Sequence, residues 1–180
     1  QSDTLDEFWL SFNTDNYPPE FGEFLFSIWS EMMHRDTLSA AVKYRCAVSL
    51  AIYFHRRGDQ AEEGFRLLQR AEKCCEDMPE PEKSRKLSDI YVMRAIWRLN
   101  SSMGEAWEEA EEEFTKALMM LEPFLELENM EERREVLRQD FQNKADYASF
   151  CGEYRGIFQE GMLEECLRKI ACLEEEAVDE

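Results

Sequence analysis

The sequence predicts an all-α fold, antiparallel helical hairpins stacked into a solenoid of about seven to eight helices. Three observations carry this. Seven Gly and five Pro in 180 residues leave few tight turns and favour long helices. Apolar residues recur at spacings of three, four and seven rather than alternating. Glycines at 58, 104 and 152, each read as a turn between helices, are separated by 46 and 48 residues, the period of a repeated helical hairpin.

The elements follow in order. TLDEFWLSF at 4–12 reads as a short helix with Thr4 and Glu7 as a capping box, broken by NTDNYPP. A helix over 19–34 opens on Pro19 and carries Phe21, Phe24, Leu25, Ile28, Trp29 and Met32. The next, over 37–57, starts at Asp36 or Thr37, stops at Gly58-Asp59 and is apolar on most sides, so it is central. Its partner over 60–77 places Phe65, Leu68, Ala71 and Cys75 on one stripe, and PEPE closes the pair. A second pair joins 83–100 to a helix that begins at a Ser102/Glu105 capping box and ends near Pro123. A third covers 130–151 and 154–176, hinged at Gly152. The chain is therefore expected to form one domain over 1–180, with 1–36 as an N-terminal cap and hairpins over 37–78, 83–128 and 130–177.

These residues resemble the tetratricopeptide-repeat superfamily in a divergent form with long helices. Ala51, Gly58, Gly64, Leu68 and Ala71, with Pro79 or Pro81 after, follow the family's small and large residue pattern. Trp97, Gly104, Ala110, Phe114, Ala117 and Pro123 follow it again, with a large residue where the first small one belongs. Ala145 and Gly152 fit a third round, whose second helix departs from the pattern at Phe158 and Met162. The resemblance covers 37–152, with one extra residue after each matched glycine and a period longer than the ~34 residues of a standard repeat. It implies a right-handed solenoid that presents a concave groove to a protein or peptide, lined by the first helix of each hairpin.

Composition narrows the function. A net charge of −19 repels nucleic acid and anionic lipid, so neither a direct nucleic-acid partner nor a membrane is expected. No apolar run approaches the ~20 residues of a membrane span. The six cysteines, at 46, 74, 75, 151, 166 and 172, sit beside apolar neighbours without a C-x-x-C spacing, which points to buried thiols in the cytoplasm or nucleus. The chain begins at Gln1, as a processed product or a piece of a longer chain does, and a secreted origin stays open. Catalysis is not expected. His34 and His55 stand near helix ends, where the last carbonyls account for them, and no phosphate-binding loop, nucleophile elbow or Glu-x-x-His pair occurs. No cofactor and no metal are expected.

Charge is segregated by helix. Segments 37–58 and 83–100 each carry +4, whereas 59–78, 103–128 and 152–180 carry −3, −8 and −6. The resemblance places Lys43, Arg45, Arg94, Arg98, Arg134 and Arg138 on the groove floor, with Tyr44, Tyr91, Trp97, Tyr147 and Asn143 as aromatic and polar contacts. Arg94 and Arg98, four apart on one helix face, suit a carboxylate or phosphate held by forked hydrogen bonds. The alternative is internal: first-helix arginines pair with glutamates of the following helices. The function expected is a non-enzymatic interaction module or adaptor for a protein segment, including one with acidic groups. A second reading makes the chain an acidic inhibitor that imitates nucleic-acid charge and blocks a basic surface. Trp9, Trp29 and Phe26 serve either the cap or a homodimer surface. The six glutamates between 104 and 113 are read as the solvated wall of the second hairpin.

Overall fold

The computed structural model describes residues 10, 18–57, 61–102, 106–127, 131 and 133–153. Among them are six α-helices and no strand: α1 Pro19–Met33, α2 Ala40–Arg57, α3 Ala61–Cys74, α4 Glu82–Ser102, α5 Trp107–Leu121 and α6 Arg134–Glu153. A short 3-10 turn, Glu122–Phe124, follows α5. The helices expected over 4–12 and 154–176 lie outside the described residues. The chain divides into two compact units, Gln1–Lys83 and Ser84–Glu180.

In the first unit α1 begins with Pro18 as cap and Pro19 in its first turn, where a missing N–H costs nothing. One stripe, Leu25, Trp29 and Met32, is almost wholly buried. Each such side chain contributes about 1.5–3 kcal/mol by leaving water. Phe26 stacks on Tyr53 at 4.9 Å and meets the edge of Phe54 at 5.3 Å, which fastens α1 to α2. Trp29 and Phe26 are thus occupied within the unit. Arg70 of α3 donates to the Met33 carbonyl at 3.4 Å and satisfies an otherwise open acceptor at the end of α1.

The start of α2 falls later than Asp36 or Thr37. The Val42 N–H donates to Ser39 Oγ at 3.3 Å, so Ser39 is the cap and Ala40 the first helical residue. Cys46, Ala47 and Ala51 of α2 are fully buried, as are Leu68 and Ala71 of α3, with Gly64 also inside. Small side chains at these positions let the two backbones approach, and α2 and α3 make the most extensive helix contact among the described residues. The turn from α3 to α4 contains a cis Glu80–Pro81 bond and buries Pro81.

In the second unit α4 buries Ile90, Ala95, Ile96, Trp97 and Leu99. The expected capping box is not the start of α5: Ser102 is the last residue of α4, and α5 begins at Trp107 after Ala106, with no side-chain cap. Ala110, Phe114, Ala117 and Leu121 form its inner stripe. Phe114 lies between Trp107, at 6.4 Å, and Tyr147 of α6, at 6.3 Å.

Gly152 is not a turn residue. The helix α6 runs through it to Glu153, and the indole of Trp107 covers it so closely that a Cβ there would stand 3.0 Å from two ring carbons. The glycine serves close approach instead of chain reversal. Gly152→Ala is therefore expected to lower stability by about 1–2 kcal/mol, because crowding outweighs the gain of up to about 1 kcal/mol in helix propensity. In a Trp107→Ala background the same substitution should be neutral or stabilising. Urea unfolding of the four combinations measures the reversal.

Candidate functional site

The basic residues of α4 meet carboxylates of α5 and α6 inside the second unit. Glu113 lies three residues after Ala110 and four before Ala117, so the helical repeat turns it toward the interior, and it is buried. Arg98 Nε donates to Glu113 Oε1 at 3.3 Å, and Arg94 Nη1 stands 3.7 Å from Oε2. Both distances exceed the ~2.7–2.9 Å of a tight charged hydrogen bond, so one carboxylate is shared electrostatically by two guanidiniums. Arg94 also lies over the Tyr91 ring, 5.6 Å from its centroid. The side chain of Arg94 is 15% exposed and that of Arg98 40%.

A second cluster centres on Lys144. Leu137, Lys144, Tyr147 and Cys151 follow one another at spacings of seven, three and four, which puts the lysine on the buried stripe of α6. Its Nζ is 2.8 Å from Asp89 of α4 and 2.8 and 2.9 Å from the two oxygens of Asp140. Arg85 Nε lies 3.6 Å from Asp140. Two cations and two carboxylates thus join α4 to α6, and burial is tolerated because the lysine's ammonium has an acceptor on each side.

The remaining expected groove residues are placed as follows. Arg138 donates to Glu126 at 2.6 Å, which holds that exposed carboxyl below the usual carboxylate range. Arg134 donates to the Leu127 carbonyl at 3.1 Å, and Asn143 accepts from Gln139 at 2.9 Å. Tyr44 is buried, Trp97 and Tyr147 are buried, and Lys43, Arg45 and Tyr91 are half-buried. Glu113, Lys144, Asp89, Asp140 and Arg85, which carry the two clusters, were outside the expected site. Glu113 was counted with the wet glutamates, of which Glu108, Glu109, Glu111 and Glu112 are indeed exposed.

His34 is the exposed C-terminal cap of α1, where its N–H donates to the Glu31 carbonyl at 3.1 Å. Half-buried His55, in the last turn of α2, has its pKa pushed below the ordinary 6.5 by burial. Cys46, Cys75 and Cys151 are buried free thiols, and burial pushes the half-buried Cys74 up against the opposing pull of Arg70 and Lys43. Among the described residues no group of three or more His, Cys, Asp or Glu side chains is placed to hold a metal ion. No described helix is long and apolar enough to cross a membrane. No family model, no curated protein and no solved structure matches the chain.

Two outcomes are expected from these charges. Lys144→Met leaves Asp89 and Asp140 facing each other and should cost about 2–3 kcal/mol, less than a fully buried pair because Asp89 is 45% exposed. Lys144→Met with Asp140→Leu should regain most of that loss, as read by urea midpoints. For His55, burial disfavours the imidazolium, so the unfolded chain binds more protons as pH falls through 6.5. Stability should therefore decline from pH 7.5 downward and level off below the folded pKa, and His55→Gln should flatten that slope.

Proposed function

We propose that the protein is a non-enzymatic interaction module built on tetratricopeptide-like helical hairpins, in which the first helices of the hairpins receive a segment of a partner protein. The observation that carries this reading is the burial of the pattern residues. Ala51, Leu68 and Ala71 are fully buried in the first unit and Ala110 and Ala117 in the second, with Phe114 nearly so, each at a helix packing face where the repeat pattern calls for it. Residues chosen for packing at these positions make a scaffold whose other faces are available to a ligand. Lys43 and Arg45 on α2, and Arg98 on α4, retain exposed charge for acidic groups of the partner.

The ion pairs decide how this is tested. Arg94→Glu would set a second carboxylate against buried Glu113 and unfold the unit, so it reports on stability and not on recognition. Lys43→Ala with Arg45→Ala, and separately Arg98→Ala, keep the packing. Partner capture from the native source, quantified by mass spectrometry, should fall at least tenfold for one of these folded variants. Undiminished capture by both removes the first-helix reading. Capture that is undiminished by both and is lost by 0.5 M salt would point instead to the exposed acidic wall of α5 as a charge mimic.

A further inference from the structure

We infer that the outer face of α1 is a second interaction surface, fitted to a basic amphipathic helix of another protein. α1 is apolar on two sides. Its inner stripe, Leu25, Trp29 and Met32, is taken up by the unit's own core. A second stripe, Phe21, Phe24 and Ile28, advances by three and four residues around the other side of the cylinder. Phe21 and Ile28 are half-buried, and Phe24 is 50% exposed with its ring 6.0 Å from that of Phe21. A helix with an inner stripe already satisfied does not need these side chains for its own folding. They span two turns, about 10 Å along the axis.

Charge selects the occupant. Every ionisable residue of α1 is acidic: Glu20, Glu23 and Glu31 are all exposed, and Lys and Arg are absent from Pro19–Met33. At steps of 100° per residue, Glu20 and Glu31 fall within 40° of Phe24 and Glu23 within about 100°, so the carboxylates rim the aromatic stripe. An aromatic anchor with a carboxylate rim fits a partner helix that carries one apolar row flanked by Lys or Arg. A second copy of this chain is a poor fit, because it would bring the same three glutamates against their equals. An acidic segment of the kind proposed for the first helices is repelled here.

The test uses the full chain and a fluorescently labelled 14-residue peptide with Leu at heptad a and d positions and Lys elsewhere, beside its Glu-for-Lys counterpart, read by anisotropy. The Lys peptide should bind and the Glu peptide should not. Phe24→Ser, a change at an exposed position, should weaken binding at least tenfold, and Phe24→Leu should restore it. Glu20→Gln/Glu23→Gln/Glu31→Gln should also weaken it at least tenfold. Glu108→Gln/Glu109→Gln/Glu112→Gln on the exposed face of α5 removes the same charge elsewhere and should cost threefold or less. Equal losses from the two triple variants would mean unspecific attraction to an acidic protein and would overturn the inference. So would indifference to Phe24→Ser, binding of the Glu peptide, or self-association in sedimentation that Phe24→Ser abolishes. Failure here leaves the first-helix reading standing, since Lys43, Arg45 and Arg98 lie outside α1.

Discussion

Twenty-one basic side chains must serve forty acidic ones, and the placement of those cations constrains everything else in the molecule. A chain this acidic folds against its own repulsion. In the second unit its cations are brought to helix interfaces, where each one neutralises carboxylates that would otherwise repel. Lys144 stands between Asp89 and Asp140, and Glu113 is shared by Arg94 and Arg98. Interior pairs of this kind add little net stability over apolar substitutes, because desolvation cancels most of the attraction. Their effect is on register: a shift of α4 by one residue would separate Asp89 from Lys144 and leave an ammonium buried without acceptors.

The same placement explains what sequence alone could reach. All six described helices were legible, since apolar spacing of three and four residues follows directly from the helical period. Their ends were less so, because several residues compete for one role. Asp36, Thr37 and Ser39 can each cap a helix, and the bond from Val42 N–H selects Ser39. Ser102 and Glu105 satisfy a capping-box spacing, yet Ser102 is still inside α4. Gly152 shows the ambiguity of glycine itself, which serves a chain reversal or a close neighbour equally well, and only the position of Trp107 distinguishes the two.

The charged clusters were half legible. That the arginines of one helix pair with glutamates of the next is visible in the alternation of charge between segments. Which glutamate is chosen is not. Six of them stand between 104 and 113, and Glu113 differs from its neighbours only by its offset from Ala110 and Ala117. Lys144 was equally available, as a charge seven residues after Leu137 and three before Tyr147 on an apolar stripe. A charged residue in phase with a buried stripe signals an internal counter-ion, and that signal outweighs local charge density.

Recognition is shaped by what remains after this internal pairing. With most of the first-helix guanidiniums of the second unit already near carboxylates, long-range attraction favours basic partners and opposes acidic ones. An acidic segment approaching Lys43, Arg45 or Arg98 meets the repulsion of the whole molecule and depends on short-range contacts, so its association is slow and quickens as salt screens the repulsion. A basic helix approaching α1 is drawn in by the same field, and its association slows as salt rises. Opposite salt dependence of association rate therefore follows from one charge distribution. The residues that set specificity in each case, an exposed arginine or an aromatic ring between glutamates, are those that the core leaves at the surface.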